Sequence, residues 1–254
     1  MAHYTELVQE LVSISKRAGE SILKIYETDF KVRGKDDSSP VTDADEQAEA
    51  VILLGLERVA PDIAVVAEEG VAAGKVPNIS SGRFFLVDPL DGTREFINRN
   101  GEFTVNIALI EQGSPVMGVV HLPALNETYW SDGEQAWRQD GDGAASVISC
   151  RVAADDGLVV VASRSHRDER TDEYLANFQV KELISAGSSL KLCRLAEGKA
   201  DLYPRLGRTM EWDIAAGHAV LAAAGGSVCT LDGEPLGYGK PGLDNPDFVA
   251  RGMT

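Results

Sequence analysis

Apolar positions near the start of the chain recur with the period of an α-helix. Residues 7, 8, 11, 12, 18, 22 and 25 form one apolar stripe with charges opposite, which predicts a helix from about Tyr4 to Glu27. The polar, turn-rich stretch from Gly34 to Pro40 reads as a loop. Thr42-Asp43-Ala44-Asp45 has the form of a capping box and opens a second helix to about Val59, which Pro61 closes. A short strand over Ile63–Ala67 follows.

The pattern then changes to continuous apolar runs. Arg83-Phe84-Phe85-Leu86-Val87 reads as a buried strand. Strands at about 103–111 and 116–121 are joined by the turn Gln112-Gly113-Ser114-Pro115, and 127–131 with 135–138 form a hairpin around Asp132-Gly133. The polar, Gly-rich stretch 139–143 marks a boundary. Beyond it come a strand at Leu158–Ala162, a helix over Ser188–Glu197 stopped at Gly198, and a helix over Glu211–Ala224 stopped by Gly225-Gly226. Alternating strands and helices of this kind give layered α/β structure. We expect two packed subdomains, 1–145 and 146–254.

At 254 residues the chain is long enough for a substantial core, and its composition is that of a globular protein. The net charge of −16 argues against nucleic acid or an anionic membrane as a general partner. A small anionic substrate is still allowed, because a local cationic pocket or a metal can dominate its surroundings. Cys150, Cys193 and Cys229 are odd in number and widely spaced, and the four histidines lack ligand spacing, so neither disulfides nor zinc is expected. The sequence has no signal-peptide pattern and no apolar run of bilayer length, which predicts a cytoplasmic protein.

The chemistry concentrates at Asp88-Pro89-Leu90-Asp91-Gly92-Thr93, at the C-terminal end of the buried strand. Taken alone it reads as a turn; taken as chemistry, two acids this close call for a hard divalent cation between them. Glu68-Glu69 ends another strand, and Asp213 sits in the first turn of an apolar helix, where the helix dipole already favours an acid.

Together the elements Asp37-Ser38-Ser39-Pro40-Val41-Thr42-Asp43-Ala44-Asp45, Glu68-Glu69, Asp88-Pro89-Leu90-Asp91-Gly92-Thr93 and Trp212-Asp213-Ile214-Ala215-Ala216-Gly217 resemble the lithium-sensitive, magnesium-dependent phosphomonoesterase superfamily that includes inositol monophosphatase. The resemblance covers nearly the whole chain. It implies an α-β-α-β-α sandwich. It also implies two Mg²⁺ ions, one held by Glu68, Asp88 and the Leu90 carbonyl and the other by Asp88, Asp91 and Asp213, with a weaker third near Glu68. The phosphate would rest on the metals and on the N–H groups of Gly92 and Thr93, with Glu68, Leu90, Asp91 and Asp213 around it. Thr93 paired with Asp45 would accept the proton of the attacking water in one branch of the superfamily, and Asp37 with Thr93 in the nucleotidase branch. Both acids are present, so the base is left open, with Asp37 favoured.

Lys35-Asp36-Asp37-Ser38-Ser39-Pro40-Val41-Thr42, Ser163-Arg164-Ser165-His166 and Gly187-Ser188-Ser189-Leu190-Lys191 resemble the bisphosphate nucleotidases within that superfamily. This implies hydrolysis of the 3′-phosphate of adenosine 3′,5′-bisphosphate, with 3′-phosphoadenylylsulfate as a second substrate, in sulfate assimilation. Lys191 and Arg205 are the candidates for the second phosphate. An inositol-1-phosphatase and a non-catalytic nucleotide or metal sensor are the competing readings. A monomer is expected rather than a dimer, either free in the cytoplasm or peripheral on the cytoplasmic face of the inner membrane.

Overall fold

A computed structural model describes residues 2–34, 40–163 and 169–253 of the chain. The amphipathic N-terminal stripe forms α1 (Ala2–Tyr26), followed by the short ladder β1 (Arg33–Gly34) and β2 (Pro40–Val41). Next come α2 (Asp43–Val59), β3 (Ala64–Ala67), α3 (Glu68–Ala72), β4 (Arg83–Asp91) and α4 (Thr93–Ile97). Five strands follow: β5 (Thr104–Glu111), β6 (Ser114–Leu122), β7 (Glu127–Ser131), β8 (Ala136–Asp140) and β9 (Ser146–Ile148). The remainder is β10 (Leu158–Ser163), α5 (Glu169–Leu175), β11 (Val180–Ala186), α6 (Leu190–Ala196), β12 (Leu202–Arg205), α7 (Glu211–Ala223), β13 (Ser227–Thr230) and β14 (Phe248–Arg251).

Strands β3 to β9 lie side by side in chain order in one sheet, parallel only at β3–β4. The second sheet has the order β11-β10-β12-β14-β13. Along β4, successive side chains face opposite sides, as a pleated strand requires. Phe85 and Val87 join Leu11, Ile14 and Ile52 of α1 and α2; Phe84 and Leu86 join Leu192, Ala216 and Val220 of α6 and α7. The first sheet is therefore covered on both faces, which is why its strands read as unbroken apolar runs. The second sheet packs on α6 and α7 through Tyr203 and Phe248, and its other face meets α5 through Val160, Leu175 and Val249. Five layers alternate, as α-β-α-β-α.

Helix α7 occupies the middle layer, and residues 214–221 are all buried. It is apolar all round because it has a neighbour on every side. Its backbone lies directly on β6: a Cβ placed on Gly118 would stand 2.4 Å from the Ala216 carbonyl oxygen and 2.9 Å from its Cα. Such contact between a strand and another backbone requires a residue with no side chain.

Elsewhere the sequence and structure differ in small ways. The turn expected over 112–115 contracts to Gln112 and Gly113, both with positive φ, 48° and 78°. That pair suits the twist of a tight hairpin, and it releases Ser114 and Pro115 into β6. The helix expected over 188–197 begins at Leu190, because Ser188 has a φ of 43° that no helix accepts. Among the described residues, no helix is long and apolar enough to cross a membrane.

Gly118→Ala is expected to destabilise the fold by about 1–3 kcal/mol through overpacking. Urea unfolding should show a lower midpoint at an unchanged slope.

Candidate active site

The end of β4 departs from regular pairing at the point where its acids lie. Asp88 is opposite Asn106 and Asp91 is opposite Thr104, so three steps on β4 match two on β5. The extra residue falls at Pro89-Leu90, where a bulge suits a proline that has no N–H to donate. In a regular strand, residues 88 and 91 would face opposite sides of the sheet. The bulge re-aims them, and the two carboxylates influence one another's charge, with Glu68 and Asp213 adding theirs.

Asp88 is buried, and its Oδ1 accepts a bond from Leu90 N at 3.0 Å. Burial first, then the charges of Glu68, Asp91 and Asp213 and a hydrogen bond with Glu68, hold its carboxyl well above the ordinary carboxylate range. Asp91 is pushed up to about 6, mainly by burial, although the Lys191 ammonium and the Ser189 N–H favour its anion. Asp213 is raised well above its ordinary value by burial and then by Asp91 and Glu68. Asp91 and Asp213 each open to the cleft over part of their surface but are otherwise packed round by protein. Glu68 starts α3, directly after β3.

These acids crowd together, but among the described residues no three of them close into a preformed cage. The three Asp carboxylates each accept from a nearby N–H, Asp88 from Leu90. Asp91 Oδ2 accepts from Ser189 N at 2.7 Å, and Asp213 Oδ2 from Met210 N at 2.9 Å.

Asp45 is also buried and belongs to the capping box of α2. Its Oδ2 accepts from Thr42 N and Thr42 Oγ1, both at 2.8 Å, while Ala44 N donates to Thr42 Oγ1 at 3.1 Å. Its other oxygen accepts from Thr93 Oγ1 at 3.4 Å. Thr93 begins the single turn α4 after Gly92, whose φ of 88° is left-handed. Asp37, Lys35, Arg164 and His166 lie outside the described residues.

A cleft of about 260 Å³ runs over these groups. It is lined by Asp91, Gly92, Thr93 and Asp213, with Lys191 and Arg205 alongside. Leu90 and Asp88 lie buried behind its floor. Lys191 is buried, and its Nζ donates to Ser188 O at 2.6 Å and Ala186 O at 3.5 Å, 5.5 Å from the Tyr203 ring centre. Burial lowers its pKa to about 8, with Asp91 pulling it up and Arg205 pushing it further down. Arg205 donates from Nη2 to Arg208 O at 3.1 Å, and its buried Nε has no hydrogen-bond partner among the described residues.

Several groups in the site were given no role by the sequence. Ser189 joins the two halves: its N–H reaches Asp91, its Oγ donates to Asp213 O at 2.5 Å, and it accepts from Asn106 Nδ2 at 3.0 Å. Asn106 is fully buried, reaches Asp91 Oδ2 at 3.4 Å, and has an Oδ1 with no partner among the described residues. An Asn inside the apolar run of β5 was the available signal, since a buried amide needs partners. Arg208 and Thr209 line the cleft from a loop with no sequence signature.

Residues 3–250 match the family model for the inositol monophosphatase family. The chain is 45% identical over 245 residues to the 3′(2′),5′-bisphosphate nucleotidase CysQ of Salmonella typhimurium, covering 95% of this chain and 98% of that one. It is 44% identical to the Escherichia coli (strain K12) protein of the same name over the same shares. The crystal structure of CysQ from Bacteroides thetaiotaomicron superposes with a TM-score of 0.86 at 38% identity, over 100% of both chains. An IMPase from Thermotoga maritima shares the fold, with a TM-score of 0.77 at 23% identity over 97% of this chain and 92% of that one. The chain belongs to the inositol monophosphatase family.

Proposed function

We propose that the protein is a magnesium-dependent 3′(2′),5′-bisphosphate nucleotidase. It removes the 3′-phosphate of adenosine 3′,5′-bisphosphate, giving AMP and phosphate, and takes 3′-phosphoadenylylsulfate as a second substrate. The observation that carries this reading is one cleft in which acidic groups and cationic side chains, Lys191 and Arg205 among them, lie side by side. The CysQ proteins named above, similar over nearly the whole chain, support it. A role in sulfate assimilation, in the cytoplasm and as a monomer, goes with the same reading.

The donor set fits a hard cation. Asp88 sits in the interior among acids, so it either keeps its proton or ionises beside a positive charge. Glu68, Asp88 and the Leu90 carbonyl would hold one Mg²⁺, and Asp88, Asp91 and Asp213 another, with a weaker third ion near Glu68. When bound, Mg²⁺ lets these acids ionise together and supplies positive charge to water and phosphoryl oxygens.

The chain's own groups do the rest. The Thr93 hydroxyl donates its hydrogen bond to Asp45, which leaves its oxygen lone pairs to accept a hydrogen bond from a water at the cleft floor. Asp37 is the favoured acceptor of that water's proton, with Asp45 through Thr93 as the alternative. The N–H groups of Gly92 and Thr93 serve the phosphate being cleaved. Lys191 and Arg205 serve the second phosphate: an ammonium has three protons, more than the two carbonyls bonded to Lys191 use, and the unpartnered Nε of Arg205 suits an anion.

An inositol monophosphate has no second phosphate for these cations. Its kcat/KM is expected to fall about 10- to 100-fold below that of adenosine 3′,5′-bisphosphate, the worth of one charge-assisted contact. A preference for the inositol substrate would reject the nucleotidase reading in favour of inositol monophosphatase. Asp88→Asn is expected to cut Mg²⁺-dependent phosphate release more than the roughly 10–100-fold typical of outer ligand-supporting changes. Its melting temperature in EDTA should be no lower than that of the parent, since the change removes a buried like charge. Undiminished phosphate release would remove Asp88 from the site. Lys191→Ala should harm the bisphosphate about tenfold more than p-nitrophenyl phosphate; equal losses would refute its second-phosphate role.

A further inference from the structure

Glu211 is fully buried, at the first position of α7 and two residues before Asp213. Its carboxylate faces the loop 237–245. Oε2 accepts from Gly239 N at 2.7 Å; Oε1 accepts from Lys240 N at 2.9 Å and pairs with Lys240 Nζ at 2.7 Å. Its own N–H donates to Leu243 O at 2.8 Å. Asn245, also buried, grips the preceding residues: its Nδ2 reaches Met210 O at 2.8 Å and Thr209 Oγ1 at 3.2 Å, and its N–H reaches Thr209 O at 2.9 Å. Lys240 Nζ closes the circuit on Asn245 Oδ1 at 3.1 Å.

Three consecutive residues, Thr209, Met210 and Glu211, are thus bolted to one loop, and the N–H of the middle one holds Asp213 Oδ2. If fastening the loop were the only requirement, apolar packing would serve as well, because a buried ion pair is weak evidence for stability. What directional bonds add is a fixed rotation of the helix's first turn, and with it the direction of the carboxylate that follows. A second grip farther along α7, between His218 Nδ1 and the Tyr238 hydroxyl at 2.9 Å, secures the same loop.

We infer that Glu211, with Lys240 and Asn245, is a positioning unit that aims the Asp213 carboxylate at a divalent cation. The inference rests on the reading of Asp213 as a metal ligand. None of the three side chains touches the substrate; they act through Met210 and the helix start, as outer-shell groups act on metal ligands elsewhere.

The test is equilibrium Mn²⁺ binding by titration calorimetry, on the full chain without nucleotide. Glu211→Ala and Asn245→Ala should each weaken binding about tenfold. Glu211→Gln, with one acceptor oxygen in place of two, should fall in between. At saturating Mg²⁺ the KM for adenosine 3′,5′-bisphosphate should stay within about twofold of the parent, because the nucleotide contacts are intact. Asp201→Asn is the control, a buried carboxylate paired to Arg151 at the end of β12 away from Arg205, and it should bind Mn²⁺ like the parent. Folded Glu211 and Asn245 variants that bind Mn²⁺ as the parent does would overturn the inference, as would an equal loss in Asp201→Asn. A parent protein that binds no Mn²⁺ would overturn the metal reading itself, a distinct result.

Discussion

Carboxylates do not gather in a dry space unless something offsets their mutual repulsion, and this constraint organises the molecule. Asp88, Asp91 and Asp213 come from two distant parts of the chain, and their carboxyls are all pushed up by burial first and then by the negative charge of neighbouring acids, Glu68 in each case among them. The fold holds their backbones close regardless, by a bulge in β4, buried on both faces, and by α7 lying directly on β6 of the same sheet. The cost of that crowding is met by apolar contacts elsewhere in the five layers, so the site need not stabilise itself. A stable frame with an electrostatically unsatisfied centre is the arrangement expected where a cation belongs to the function.

Much of the frame was legible from the chain because its signals were local. The capping box at Thr42 and Asp45 declares the start of α2, and the unbroken run ending at Val87 declares a strand buried on both sides. The wholly apolar helix after Trp212 was equally plain, and the acids stood out at the ends of these elements. What escaped notice has a shared physical character. Strand β11 is exposed over most of its length at the edge of its sheet, and its apolar residues Val180, Leu183, Ile184 and Ala186 follow no regular alternation that would announce a strand. The bulge at Pro89-Leu90 depends on pairing with a strand that follows it in the chain, and no local pattern encodes that register. Ser189, Asn106 and Glu211 act by meeting partners more than twenty residues away, and a single polar residue in an apolar run does not say which partner it will find.

The two kinds of charge in the cleft also have separate origins. The acids that line it come from β4, α4 and the start of α7, while Lys191, Arg205 and Arg208 come from α6, β12 and the loop beyond. Ser189 and Asn106 join the two sets through direct hydrogen bonds. Changes in the cationic wall can therefore alter which phosphate esters fit while the acidic floor stays in place. Such a division suits a family whose structural neighbours keep the fold at low sequence identity.

Asp45 shows how part of the cleft is made ready before anything enters it. One of its oxygens takes two bonds from Thr42, three residues away, and the other faces Thr93. The orientation of that carboxylate follows from the winding of α2 alone. Asp213 is held in the same way by Met210 N, three residues before it at the start of α7. Two helix starts thus hold two acids beside the cleft by local winding, so each of these directions is lost only if its own helix start unwinds.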